Sequence, residues 1–141
     1  MTIIYGPASP SDADEISRIA RLAFNASEED DWNRDIALSQ IENYEVRILM
    51  DDYTYLGFAI YHQNHIASIA IDPHHRGKGH GRTLLLHVLE ELLARKEITI
   101  EAKASNKRAI NLYLSCGFAP YYSDSWTIKM LRLRILQATP A

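Results

Sequence analysis

The stretch that most constrains this chain runs from Ile66 to Leu93, IASIAIDPHHRGKGHGRTLLLHVLEELL. An apolar segment ends at Asp72-Pro73. A loop follows with Arg76, Gly77, Lys78, Gly79 and Gly81, and an amphipathic segment begins almost at once. Leu84, Leu85, Val88, Leu89 and Leu92 recur at spacings of three and four, the period of one helix face. A buried strand, a short glycine-rich turn and a leucine-faced helix in succession predict a helix laid back on a sheet. The helix is expected over Gly81 to Lys96, with Arg95 and Lys96 suited to the negative end of its dipole.

The loop carries a chemical expectation as well. Glycines at alternate positions lack the β-carbons that would hold a ligand off the backbone, and they accept positive φ at no steric cost. Several backbone N–H groups can then face one anion, joined by the free N–H groups and positive dipole end of the helix that follows. Arg76, Lys78 and Arg82 add side-chain charge, so Arg76 to Arg82 reads as a phosphate cradle. A tight βα turn needing glycine for packing alone is the other reading. Neither common nucleotide loop fits. A Walker A loop needs Ser or Thr after Gly-Lys, whereas Gly79 follows Lys78. A dinucleotide fingerprint needs glycine three positions after Gly79, where Arg82 stands.

The remaining elements follow from periodicity and breakers. Thr2 to Tyr5 reads as a strand broken by Gly6, Pro7 and Pro10. Ser9 or Ser11 can cap a helix whose apolar face is Ile16, Ile19, Ala20, Ala23 and Phe24 and which ends near Asn25. Glu28 to Asp31 form an acidic run, either a solvated linker or a rim that attracts a cation, followed by Trp32, which reads as exposed. A short helix is expected over Arg34 to Tyr44, and a hairpin from Glu45–Met50 and Thr54–Tyr61. The central strand spans His65 to Ile71. Ile98, Ile100 and Ala102 alternate with Thr99, Glu101 and Lys103, a strand with opposite faces. Joined to the central strand by one helix, it should lie parallel to it with a right-handed crossover. Asn106 opens a helix that stops at Gly117. Phe118–Tyr122 and Trp126–Leu136 complete the sheet.

Composition narrows the class. The 141 residues suffice for one domain, 1–141, with a proper core. A net charge of −3 gives no basic field for nucleic acid or an anionic membrane. The single Cys116 forms no internal disulfide, which suits a reducing, cytoplasmic setting. MTIIYGPASP has neither a basic nor a long apolar region and is not expected to be a signal peptide. No apolar run approaches the roughly 20 residues that span a bilayer. Six histidines lie between His62 and His87, but no cysteine or carboxylate completes a ligand set of recognisable spacing, so no metal is expected.

The second informative run is Glu101-Ala-Lys-Ala-Ser-Asn106-Lys-Arg-Ala-Ile-Asn-Leu-Tyr113-Leu-Ser-Cys-Gly117-Phe118. Each residue has a structural reading: Asn106 as an N-cap, Tyr113 as a core phenol on the face of Ala109 and Ile110, Glu101 exposed on an edge strand. Arg-x-x-Gly-x-Gly from Arg76 to Gly81 resembles motif A of the GNAT superfamily of acetyl-CoA-dependent N-acetyltransferases. The run ending Ala-Ile-x-Leu-Tyr-x-x-x-Gly-Phe resembles its motif B. Both occur in order, and the resemblance covers about residues 54 to 122. It is most detailed to the bacterial ribosomal-protein-alanine acetyltransferase group, from which the chain departs in its short connection after Tyr122.

The resemblance implies a GNAT fold: α/β, with a mixed, twisted sheet of six or seven strands flanked by about four helices, and central parallel strands splayed apart. It implies acetyl-CoA as donor, with its pyrophosphate on Arg76, Gly77, Lys78, Gly79, His80, Gly81 and Arg82. Backbone groups of Ile69, Ala70 and Ile71 would serve the oxyanion and pantetheine, and Asn106 the pantetheine. In direct transfer to an amine, the nitrogen must lose a proton and the thiolate must be expelled. By resemblance, Glu101 is the base, acting directly or through water, and Tyr113 the acid, also touching the cofactor. Cys116 reads as packing. Trp32, Tyr121 and Tyr122 are the expected acceptor residues. The favoured acceptor is a protein or peptide N-terminus, with a polyamine or amino-acid derivative as alternative and a non-catalytic acyl-CoA-binding sensor as rival. A monomer and a homodimer are both open.

Overall fold

The computed structural model describes residues 2–24 and 32–134. The elements are β1 (Ile3–Pro7), α1 (Ala13–Phe24), α2 (Arg34–Asn43), β2 (Glu45–Asp51), β3 (Thr54–His62), β4 (His65–Ile71), α3 (His80–Glu91), β5 (Glu97–Lys103), α4 (Lys107–Ser115), β6 (Ala119–Ser123) and β7 (Thr127–Leu133). The seven strands form one sheet in the order β1-β2-β3-β4-β5-β7-β6. Only β4 and β5 are parallel, as expected for strands joined through α3. The α/β architecture, the strand count and the four helices agree with the sequence expectation.

The sheet has an apolar layer on each side. Leu84, Leu85, Val88 and Leu89 of α3, with Tyr113 of α4, pack on Leu49, Leu56, Ile66, Ile98, Ile100 and Met130. On the opposite side Ile16, Ile19 and Ala20 of α1 and Ala37 of α2 pack on Val46, Phe58, Ile60 and Ala70. The period-two alternation of β5 is what sends Ile98 and Ile100 inward and leaves Glu101 on the α1 side.

Several boundaries differ from expectation for physical reasons. β1 runs through Gly6 and Pro7 because it is an edge strand paired only with β2, where a missing N–H can go unmissed. α3 ends at Glu91, not Lys96; Leu92 turns back to bury its side chain, and Arg95 N–H then bonds Leu92 C=O at 2.9 Å. β5 is interior, so Glu101 is exposed on an open sheet face, not at an edge. Trp32 is half-buried, tilted against Phe24 and Phe58 at 5.9 Å each, because the apolar face of α1 leaves a hollow over β3 that an indole fills. The acidic run Glu28 to Asp31 lies outside the described residues, as does the expected end of the last strand beyond Arg134.

The turn from β4 into α3 is held by a residue whose role the pattern did not suggest. Asp72 is 3% exposed. Its carboxylate accepts from the His74 N–H at 2.9 Å, from Arg18 of α1 at 2.9 Å and pairs with the His74 ring at 3.0 Å. Burial alone would raise this carboxyl, but the His74 amide, Arg18 and the His74 ring together bring it down to about 2. A depressed carboxyl contributes stability above its unfolded value, and that contribution is lost as pH falls through the folded one. Asp72→Asn should therefore cost about 2 kcal/mol at pH 7 by denaturant unfolding. The gap from wild type should close as pH drops from about 4 toward 2; a gap that persists at pH 2 would show that the carboxylate's charge is not what matters.

Candidate active site

β4 and β5 are paired at two positions only, His65 with Thr99 and Ile66 with Ile100. Both strands continue, β4 along β3 as far as Ile71 and β5 along β7 as far as Lys103. Having committed their far edges to other neighbours, they separate. Ala67 is an extra residue in β4, since Ile66 faces Tyr61 while Ser68 faces Ile60; such a bulge bends its strand and ends regular pairing. A strand offers N–H and C=O alternately to its two sides. From Ala67 to Ile71 the β5 side of β4 has no partner strand, and its amide groups open onto the gap.

The gap is a cleft of about 200 Å³ lined by Ile66 to Ile69 of β4, Ile100 to Lys103 of β5, Asn106 and Tyr113 of the α4 segment, and Ala23 and Phe24 of α1. Tyr113 belongs to the layer under α3 and α4, whereas Phe24 belongs to the layer under α1. The cleft is thus a slot between the two strands that reaches both apolar layers. Glu101 stands on the α1 side and Tyr113 on the other.

Tyr113 is 5% exposed. Burial pushes its phenol up to about 12, so it holds its proton throughout the neutral range. Among the described residues its hydroxyl has no hydrogen-bond partner. Asn106 fulfils the cap reading, accepting the Ala109 N–H at 3.1 Å, which leaves its amide NH2 at the slot. Glu101 is about half exposed, and its Oε1 lies 3.9 Å from Nε2 of His65. Of the expected backbone donors, Ile69 lines the slot, Ala70 is packed under α1 and Ile71 under α3.

The glycine loop leads from the end of β4 into the N-terminus of α3. Gly77 and Gly79 have φ of +80° and +81°, the left-handed conformation for which glycine is needed. Gly81 is helical; a β-carbon there would stand 3.5 Å from Leu112, an ordinary van der Waals contact, so neither space nor backbone conformation requires glycine at this position. Among the described residues, the N–H groups of Gly77, Lys78, Gly79, His80, Gly81 and Arg82 have no protein acceptor. Six unanswered amides at one helix mouth form an anion-facing group that could hold a diphosphate. Arg76 lies beside Arg108, and partial burial together with that second cation pulls its guanidinium below the ordinary value. Arg108 is a member of this basic group that the motif spacing did not single out. Arg82 does not join it: its guanidinium reaches Ser115 Oγ at 3.1 Å and ties α3 to the end of α4.

Three expected acceptor residues do not converge on the slot. Trp32 sits behind Phe24. Tyr121 and Tyr122 lie exposed on the edge strand β6. Tyr122 donates to Asp124 at 2.9 Å and carries Lys129 5.1 Å over its ring. The histidines have separate occupations, His65 on Thr99, His74 on Asp72, His87 stacked on Tyr5 at 4.5 Å. A wider depression of about 530 Å³ around Tyr44, Arg47, His62 and Glu91 sits at the other end of α3 and holds none of the expected site residues.

Splayed parallel strands beside an amide-lined anion loop define the class of coenzyme A-dependent acyltransferases. The chain belongs to the acetyltransferase (GNAT) family, whose model matches residues 13–118. Over 53 residues it is 47% identical to the ribosomal protein bS18-alanine N-acetyltransferase of Salmonella typhimurium, and equally to that of Escherichia coli. These matches span 36% of this chain and 36% of those relatives. The crystal structure of the Escherichia coli ribosomal-protein-S18-alanine N-acetyltransferase is similar at TM-score 0.77 and 26% identity, covering 97% of both chains. A PaiA N-acetyltransferase from Thermoplasma acidophilum, solved in complex with coenzyme A, is similar in fold, at TM-score 0.82 and 18% identity over 94% of this chain and 99% of that one. The family and fold expectations are met.

Replacing Gly79 with valine forces a branched side chain into the left-handed region and should remodel the loop. Affinity for acetyl-CoA should fall at least about tenfold by calorimetry, equivalent to about 1.4 kcal/mol. Wild-type affinity in a variant with this substitution would remove the loop from the cofactor site.

Proposed function

We propose that the protein moves acetyl from acetyl-CoA directly to a primary amine, with a protein or peptide N-terminus as the favoured acceptor. The observation that carries the reading is the slot: a half-exposed carboxylate on one side of the sheet, a protonated phenol on the other, and freed β4 amides between. In direct transfer the amine enters and the thiolate leaves on different sides of one carbonyl carbon, which such a slot accommodates. Acetyl-CoA supplies the thioester carbonyl and the thiolate leaving group.

The chain's own groups then have distinct tasks. The amides of Gly77 to Arg82 hold the diphosphate and so fix the depth to which the thioester enters. Asn106 steadies the arm from the side of α4. Unpaired amides of β4 near Ile69 donate to the carbonyl oxygen as charge develops there. Glu101 takes a proton from the amine, directly or through water. Tyr113 donates its hydroxyl proton to sulfur. A phenol at about 12 is a weak acid against an ordinary thiol near 8.5. The burial that raises the phenol also strips water from a thiolate lodged beside it, which raises the thiol and narrows the difference.

The acceptor side is open, with Glu101 and Tyr122 on exposed strand faces. That suits an amine trailing a chain better than a small amine that must be enclosed. The bS18-alanine acetyltransferases similar to this chain act on such a terminus by name. The test is an acetyl-CoA consumption screen of alanine-leading peptides against polyamines and amino-acid derivatives. Selective turnover of small amines would move the acceptor to the second class, and no turnover with intact acetyl-CoA binding would favour a non-catalytic sensor.

Tyr113→Phe should lower kcat on the order of a hundredfold with acetyl-CoA affinity unchanged. Because the phenol stays protonated up to about pH 12, the loss should be the same at every pH in the assay range. A wild-type rate would remove Tyr113 from the chemistry. Glu101→Gln should slow the reaction most at low pH if Glu101 takes the ammonium's own proton, and equally at every pH if it takes the proton lost as the C–N bond forms; a wild-type rate and profile would remove Glu101 from the chemistry.

A further inference from the structure

A primary ammonium must lose two protons on its way to an amide, and the reading above provides one base. Beside Glu101, where the two strands are still paired, stands a second acceptor that the sequence motifs do not include. His65 of β4 and Thr99 of β5 face each other at one of the two pairs that still join the strands, and Nδ1 of His65 lies 2.8 Å from Oγ1 of Thr99. The other ring nitrogen, Nε2, lies 3.9 Å from Oε1 of Glu101. That separation is too long for a direct hydrogen bond and matches two acceptors that share one bridging atom, since a single nitrogen or water oxygen can sit about 2.8 Å from both. With Nδ1–H donated to Thr99, Nε2 presents its lone pair to the same point as the Glu101 carboxylate.

Resting on the acceptor reading of the preceding section, we propose that His65 and Glu101 jointly seat the incoming ammonium, and that His65 is a second catalytic proton acceptor held in its tautomer by Thr99. The ammonium's first proton passes to Nε2 of His65, making an imidazolium that discharges to solvent through its half-exposed ring. The freed nitrogen pair forms the C–N bond to the thioester carbon. The second nitrogen proton goes to Glu101 as that bond forms, and Glu101 returns it to solvent. The C–S bond breaks with its electron pair on sulfur, which takes the Tyr113 hydroxyl proton, and Tyr113 is reprotonated from solvent. One proton is released overall. Imidazole is the side chain that exchanges protons near neutrality, so it is suited to the first transfer, from an ammonium, in a way a carboxylate is not.

The pair stands among charged and aromatic neighbours on the same sheet face. His62 of β3 stands opposite His65 in the ladder, with its ring edge-on to Tyr44. Glu97 and Lys103 flank Glu101 on the same face of β5, and Lys129 of β7 is its cross-strand neighbour, with its ammonium over the Tyr122 ring. From α1 the slot receives Ala23 and Phe24, which are apolar.

The test compares wild type with His65→Gln, His65→Ala, Thr99→Val and Glu101→Gln, using kcat/KM against pH with an alanine-leading peptide. His65→Gln is expected to lose on the order of a hundredfold at pH 7, with the gap closing to within about threefold where the amine is neutral. Added imidazole should restore part of the His65→Ala rate, and Thr99→Val should fall between wild type and His65→Gln. Independently of turnover, methylammonium alone should shift the His65 ring signals in NMR saturably, and Glu101→Gln should weaken that effect. A wild-type profile for His65→Gln, an equal loss at every pH, or no methylammonium shift at His65 would each overturn the inference. A Glu101→Gln enzyme with unaltered rate and profile would instead remove the base of the preceding section while leaving the His65 result to stand or fall separately.

Discussion

Two neighbouring parallel strands that stop pairing after two positions are the feature on which the rest depends. Ordinarily a sheet that leaves five residues of a central strand unpaired on one side loses hydrogen bonds it cannot replace. Here each strand keeps a full ladder on its far side, β4 with β3 and β5 with β7. The separation is therefore confined to one seam. α3 and α4 cover that seam from one side and α1 from the other, and the apolar layers on each face keep the two half-sheets in one body. The amides exposed along the seam are donors that a ligand can answer, so what is a cost in the empty fold becomes affinity on binding.

The cofactor loop depends on the same arrangement through Asp72. β4 ends where the seam is widest, and the chain must turn there into α3 with Gly77 and Gly79 left-handed and six amides unanswered. Such a turn has little to hold it from within. Its rigidity comes from a buried carboxylate at its base, joined to Arg18 on α1. The α1 face of the protein thereby sets the geometry of a site on the α3 end.

The fold was legible in the chain because its signals are local: leucines at helical spacing, the alternation of β5, the Asn106 cap and the Gly117 stop. The donor half of the site was legible for the same reason, being made of contiguous residues on one loop and one helix. What escaped was everything that depends on distant partners. Asp72 reads as the end of a strand until Arg18 is beside it. Arg108 carries no signal of its own until Arg76 is beside it. His65 reads as the first residue of the central strand until Thr99 and Glu101 are seen beside it. Trp32, Tyr121 and Tyr122 do not line the slot: the first packs against Phe24 and Phe58, and the two tyrosines stand on the edge strand.

The two halves of the site also differ in how the fold constrains them. On the donor side the groups are backbone amides and a buried phenol, whose positions are fixed by the same contacts that fold the protein. On the acceptor side Glu101, His65 and Lys129 project from an open sheet face, and exchanging their side chains would leave the ladder beneath them intact. A chain can keep its donor machinery and change its acceptor by substitutions on that face alone. On the proposed reading, acceptor preference would lie in the side chains that stand around Glu101, where the imidazole of His65 and the ammonium of Lys129 are its neighbours on the sheet.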